Sequence, residues 1–280
     1  MVDMTHDGTD ASLTNTRNQQ PGRATLLLSR MLKGASRYWL LCLGAVCWQV
    51  ASTHIDGLSI QLPAPTDVVS AAIELLKKGT LQADVLASLR RVAVAMLFAS
   101  GVGFPLGALL GGSKRFAWPV APIVNFFRPI PPLAWIPLSI LWFGIADLQN
   151  EFIIFLAAVF PIITNTAEGV RDVDPRLIRA ARTLGARDPA IWFTVILPAA
   201  LPSMFVGLRI GIGIAWMALV AGELVAATSG LGFLISQGRL LFRSDYIVVG
   251  MVAIGLIGLL LDALVRTFQN IVTPWRADVR

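Results

Sequence analysis

The feature that most restricts this chain is a series of long apolar runs separated by short charged segments. Residues 92–112 carry no charge, and 151–170, 198–226 and 246–268 carry two charges each. A helix needs about 20 mostly apolar residues to cross the hydrocarbon core of a bilayer. In lipid a backbone must satisfy its own polar groups, which a helix does within one segment. With a shorter run at 38–53 and a proline-rich one at 118–143, the pattern predicts an all-α integral membrane protein with about six transmembrane helices.

Composition supports lipid as the solvent. The chain is 55% hydrophobic and 14% charged, whereas soluble domains carry roughly 25% charged residues. The net charge of +6 does not point to nucleic acid, because Lys and Arg gather in alternate loops. With the N-terminus inside, the inner segments hold fifteen of them and the outer segments six. That asymmetry predicts both termini on the cytoplasmic side. Cys42 and Cys47 fall within the first apolar run. They are about 140° apart around a helix, so buried inert thiols are expected, with no metal centre.

Several segments have local instructions of their own. Residues 1–36 are expected to form a disordered polar tail with a basic flank, 37–58 a first span, and 59–91 an external amphipathic segment. A core over 92–270 and a short tail over 271–280 complete the division. Within the external segment, Thr66 is the expected cap of a helix with Val68, Val69, Ala72 and Leu75 on one stripe, closed by Gly79. The third run holds Pro119, Pro122, Pro129, Pro131, Pro132 and Pro137, so it cannot be one straight helix. Two pieces joined at Pro129-Ile130-Pro131-Pro132 are expected. Glycines at 103, 107 and 111, and at 207 and 211, have the spacing that lets helices approach closely.

The segment 171–197 is the most informative loop. Asp174-Pro175 is a helix start, and Leu177, Ile178, Ala181 and Leu184 then share a face opposite Arg176, Arg179 and Arg182. Gly185 ends the helix. Amphipathicity alone is also satisfied by an interfacial helix whose arginines sit on anionic lipid. Ala180-Ala181, Gly185 and the distal Val195-Ile196-Leu197-Pro198 resemble the coupling-loop signature of ATP-binding-cassette (ABC) import permeases. Other stretches resemble the alkanesulfonate, taurine and nitrate branch of that family over about residues 60–275. These include Leu62-Pro63-Ala64-Pro65, Ser88-Leu89-Arg90-Arg91, Arg128 through Leu138, Trp142-Phe143-Gly144, Ala181 through Ala186, Leu208-Arg209 and Ser229-Gly230-Leu231-Gly232.

The resemblance implies a MetI-like type I importer core in a bacterial inner membrane, with a cytoplasmic coupling helix. Arg176, Leu177, Arg179, Ala180, Ala181, Leu184, Gly185 and Ala186 would meet an ATPase subunit. It further implies two ATPase subunits, a second permease chain, and a periplasmic binding protein that delivers a small anionic solute. ATP would be bound by the partner, and no cofactor by this chain. Gly111-Gly112-Ser113-Lys114 lacks the spacing of a phosphate loop. One departure is Arg179, where the family has a glutamate.

Candidate translocation-path residues are Arg128, Pro131, Trp135, Arg209 and Glu223. A charge in a span costs at least about 2.5–3.5 kcal/mol, so each intramembrane arginine should face a partner, a wet cavity or the headgroups. The alternatives are structural: Arg209 paired with Glu168 or Glu223, Glu223 capping the 229–232 loop, and Trp135 as packing. Asp262 is expected to pair with Arg266 one turn on. Three rival functions remain at this level. An ion-coupled secondary transporter would need carboxylates deep in the spans, a membrane enzyme a nucleophile or metal constellation, and a scaffold would move no solute.

Overall fold

The computed structural model describes Trp39, residues 43–53 and residues 62–273. The chain divides into two compact units, Met1–Ala51 and Ser52–Arg280. In the first, residues 43–51 are helical. The expected polar tail, most of residues 37–42, and residues 54–61 lie outside the described residues, as does the end of the chain after Thr273.

The second unit is all helix among its described elements. It opens with α1 (Pro65–Lys78), which lies ahead of the long α2 (Thr80–Gly112). A bent pair follows: α3 (Lys114–Phe127), then a 3-10 turn at Pro132–Trp135 leading into α4 (Ile136–Phe143). Helix α5 (Asp147–Arg171) runs back to the short α6 (Pro175–Thr183). One turn at Asp188–Ile191 and a π-helical turn at Trp192–Ile196 then feed α7 (Leu197–Ala226). The unit closes with α8 (Leu231–Leu240) and α9 (Ser244–Val272).

Four of these segments are long and apolar enough to cross a membrane: α2, α5, the stretch Asp188–Ala226, and α9. The bent α3–α4 pair makes up to five. The sixth expected span, 38–53, is only partly within the described residues.

Helix α5 is the hub, packed between α2 and α7. Ile153, Ile154, Ala158 and Ile162 on it are fully buried. The glycine spacing works as expected. A Cβ on Gly107 would stand 2.6 Å from the Ile163 carbonyl oxygen, and one on Gly207 2.7 Å from the Asn165 Cβ. Neither helix could close on α5 with larger side chains. Helix α9 is the least enclosed span, and exposes Met251, Leu256, Leu259, Leu260 and Leu264. A surface this apolar suits lipid, where exposed leucine carries no penalty.

The proline-rich run breaks where the sequence says it must. Ile130 and Pro131 each precede a proline, which disfavours the α conformation by steric clash, and Pro131 is extended at φ −58°, ψ 135°. The two arms diverge by 85°. Pro119 and Pro122 sit inside α3 without ending it.

Two details of α1 differ from expectation. Its N-cap is Ala64 rather than Thr66, because Pro65 takes the first helical position and the Asp67 carboxylate accepts from the Ala64 N–H at 3.3 Å. The buried stripe is Val68, Ala71 and Leu75, with Val69 facing out. Gly79 closes the helix at φ +76° as expected. The continuous α2 also runs through position 91, so the expected boundary there between external segment and core falls inside a helix.

Candidate functional site

Arg128 sits at the bend. It is the residue after the last turn of α3, ahead of three prolines that supply no N–H. Among the described residues it makes no ion pair and no side-chain hydrogen bond. It lines a cleft of about 330 Å³ between the bend, α5 and α7. Pro131 lines the same cleft, with apolar walls from Ile130, Leu156, Phe160, Ile210 and Ile214. A second cleft, of about 130 Å³, shares Arg128 and Thr164 with the first and adds Asn125, Glu168 and Arg171. The two lie one above the other along α5.

The depth of the first cleft follows from helix geometry. Its α5 lining runs from Leu156 to Asn165, about 9 to 22 Å from the Arg171 end at 1.5 Å per residue. That is the middle of a hydrocarbon layer about 30 Å thick.

The polar groups in the cleft are already oriented. Pro161 interrupts the α5 ladder, and the Thr164 hydroxyl donates to the Phe160 carbonyl at 3.0 Å. The Asn165 amide nitrogen donates to the Pro161 carbonyl at 2.9 Å. The Thr164 hydroxyl is thereby committed to the backbone, the Asn165 amide keeps a second N–H, and both side chains keep acceptors free.

The other intramembrane charges are elsewhere. Arg209 Nε donates to Asp262 Oδ1 at 2.6 Å, between α7 and α9. Neither Glu168 nor Glu223 is its partner. Asp262 also accepts from Arg266 at 2.5 Å, one turn along α9 as expected. Trp135 leans on Phe127 with ring centroids 6.0 Å apart, and packs beside Ile136 and Ile153 rather than in the cleft.

Glu223 is sealed in a cluster that sequence reasoning did not assemble. Arg91, 2% exposed, donates to Glu223 Oε1 at 2.6 Å, to the Ser229 carbonyl at 2.7 Å and to Asp147 Oδ1 at 2.8 Å. Arg90 also pairs with Asp147. The Ser88 hydroxyl donates to Glu223 at 2.8 Å. Three consecutive N–H groups at the start of α8 find acceptors here: Gly230 on Asp84 at 2.8 Å, Leu231 on Ser88 at 3.0 Å, and Gly232 on Glu223 at 2.9 Å. Gly230 stands at φ +115°, and any Cβ there would strike the Glu223 carboxylate. The stretches Ser88–Arg91 and Ser229–Gly232, far apart in sequence, are thus two sides of one joint.

At the opposite end of the bundle is α6. The Asp174 carboxylate accepts from the Arg176 N–H at 2.8 Å and Pro175 opens the helix. Gly185 at φ +85° closes it, with the Ala186 N–H on the Ala181 carbonyl at 3.0 Å. Ile178 and Ala181 are half-buried, while Leu177 and Leu184 are exposed. Arg176 and Arg179 make no ion pair among the described residues, whereas Arg182 reaches Asp188 at 3.3 Å. A small, apolar-and-basic helix therefore stands clear of the core, with its ends fixed by α5 and the π-helical turn.

Outside the spans, Glu74 on α1 accepts from Lys78 at 2.6 Å, Tyr246 at 3.1 Å and Arg243 at 3.3 Å. These donors, Lys78 foremost, hold its carboxyl at about 2 rather than the usual 4.5. Among the described residues, no three His, Cys, Asp or Glu side chains are placed to hold a metal.

Residues 103–278 match the family of binding-protein-dependent transport system inner membrane components. The chain belongs to this family. It is 37% identical to the taurine transport system permease protein TauC of Escherichia coli, over 86% of this chain and 89% of that one. It is 36% identical to the putative aliphatic sulfonates transport permease SsuC of Bacillus subtilis, over 88% and 92%. The nitrate import permease NrtB of a Synechocystis strain is 34% identical over 82% and 86%. A chain of the MetNI methionine ABC transporter, solved in inward-facing conformations, superposes with a TM-score of 0.54 at 26% identity. That match covers 67% of this chain and 94% of the other. The chain is thus a permease component of an ABC importer, with the helical core its relatives share.

Proposed function

We propose that this chain forms the translocation path for a small anionic solute, of the alkanesulfonate, taurine or nitrate kind, delivered from outside by a periplasmic binding protein. Two copies of the chain line the path along their shared axis, and two ATPase subunits bind and hydrolyse ATP on the cytoplasmic side. Helix α6 is the coupling helix, and the termini share its side of the membrane. Arg128 and Pro131 line the path. Arg209 and Glu223 act as ion-paired posts beside it, and Trp135 braces the bend.

The observation that carries this reading is the geometry of α6. A nine-residue helix capped at both ends leaves Leu177 and Leu184 uncovered beside two free arginines. Small residues at Ala180 and Ala181 let a groove approach its backbone. Arg179, in place of the family's glutamate, calls for an acidic lip on that groove.

Closure of the ATPase pair would push α6, and the π-helical turn at its C-terminal side would pass the movement to α7. Rigid-body switching between inward-open and outward-open states then requires no bond to change within the chain.

The test is gentle purification of the tagged chain with its native partners, followed by mass spectrometry and crosslinking from a cysteine placed at Leu177. An ATPase subunit recovered in equal amount and joined at that position is the expected result. A chain that emerges alone, with no ATPase crosslink, would refute the coupling role.

A further inference from the structure

The cleft beside Arg128 has a chemical character that goes beyond carrying anions in general. Among the described residues its lining holds one cation, Arg128, and one further free side-chain donor, the second N–H of the Asn165 amide. Thr164 gives its hydroxyl hydrogen, and Asn165 one of its two amide hydrogens, to α5 carbonyls. Pro129, Pro131, Pro132 and Pro161 have no N–H to give, and the Ile130 N–H is bonded to the Phe127 carbonyl at 3.1 Å. Sites for inorganic oxyanions are usually nests of backbone N–H groups or helix N-termini; the helix start in this lining, the 3-10 turn at Pro132, opens with a proline that has no N–H.

The rest of the wall is apolar and contiguous, from Ile130 through Leu156 and Phe160 to Ile210 and Ile214. The volume of about 330 Å³ corresponds to about ten waters at roughly 30 Å³ each. A four-atom anion would leave most of that space wet. A molecule with one anionic head and an apolar body would fill it.

We propose that this cleft is a mid-membrane binding site for organic monoanions, with Arg128 holding the head and the Ile130–Leu156–Phe160–Ile210–Ile214 wall holding the apolar body. The permease itself then discriminates against inorganic anions such as nitrate, in addition to any choice made by the binding protein. This rests on the translocation-path reading of Arg128 but not on the ATPase-coupling reading of α6.

The experiment measures binding of methane-, ethane-, propane- and butanesulfonate and of nitrate to the purified full chain in lipid nanodiscs, by ligand-observed NMR. Each methylene that reaches the wall should tighten binding by about three- to fourfold. Nitrate should bind at least tenfold more weakly than butanesulfonate. Arg128→Gln should weaken every member of the series by tenfold or more. Ile214→Trp, which fills the wall, should flatten the chain-length dependence while sparing methanesulfonate.

A flat series, nitrate equal to butanesulfonate, unchanged binding in Arg128→Gln, or no binding of any probe would each overturn the proposal. Circular dichroism and gel filtration of both variants show whether they are folded. An ATPase that copurifies with a chain binding none of these probes would sink the site alone. A chain that binds them but recruits no ATPase would sink the coupling reading alone.

Discussion

Replacing Arg91 with alanine should destabilise the protein more than any other single change at the α2–α5–α7 joint. Arg91 makes four hydrogen bonds, to Glu223, Asp147, the Ser229 carbonyl and the Ser229 hydroxyl, at 2.6 to 2.9 Å. Its removal leaves Glu223, 1% exposed, with only the Ser88 hydroxyl and the Gly232 N–H. Breaking one side of a buried pair typically costs about 3–5 kcal/mol, because the other charge stays buried. The two remaining donors on Glu223 place the expected loss near the lower end, about 3 kcal/mol. Equilibrium unfolding in mixed micelles would read it. The double variant Arg91→Ala, Glu223→Ala should lose less than the sum of the singles, with a coupling of about 2 kcal/mol within the range found for contacting pairs. Additive losses, or a single-variant loss below about 1 kcal/mol, would show that the joint is not held by this pair.

Other consequences follow from the packing and from the outer clamp. Gly107→Ala should cost about 1–3 kcal/mol by overpacking, since its Cβ meets the Ile163 carbonyl. Gly101→Ala on the same helix, with nothing within 4 Å, should be neutral or stabilising, and thermal unfolding of the pair reads the contrast. Gly185→Val meets no neighbour either, but forces a branched side chain into φ +85° at a cost of about 1–2 kcal/mol. Limited proteolysis should then cut the α6 end faster, while Gly185→Asn behaves more nearly as the parent. The Glu74 clamp has a depressed carboxyl, so its stabilisation is complete above about pH 4.5 and is lost only as pH falls toward about 2. A disulfide-trapping or hydrogen-exchange readout of α1 should be flat from pH 7 to 5 and change only in stronger acid, and loss of protection already at pH 5.5 would contradict the assignment.

Much of the local structure was legible because its causes are local. The break at Ile130–Pro131 follows from two successive residues that each precede a proline, and the limits of α6 from Asp174, Pro175 and Gly185. Where a local cue had a competitor, it lost by a few residues. Thr66 can cap a helix, but Pro65 is better suited to the first helical position, and the buried face, Val68, Ala71 and Leu75, is set by packing against neighbouring helices. The cleft residues Thr164 and Asn165 carried one faint signal, hydrogen-bonding side chains three and four positions after Pro161. Ile210 and Ile214 carried none, being indistinguishable from other lipid-soluble isoleucines.

The sequence by itself determined which stretches are long and apolar enough to span, where the chain must bend, where α6 begins and ends, and which permease family it resembles. The first three depend on residue type and spacing within one segment, and the resemblance on several such segments read together. Only the tertiary structure decided what each buried charge does. Glu223 could not be matched with Arg91 from sequence, because the two are 132 positions apart and meet only through the faces that α2 and α7 turn toward each other. Arg209 pairs with Asp262 on α9 for the same reason, and Arg128 has no ion-pair partner among the described residues. A charge in a membrane needs a counter-charge, a wet cavity or the headgroups, but periodicity along one helix does not say which of these a neighbour supplies; the packing of the helices does.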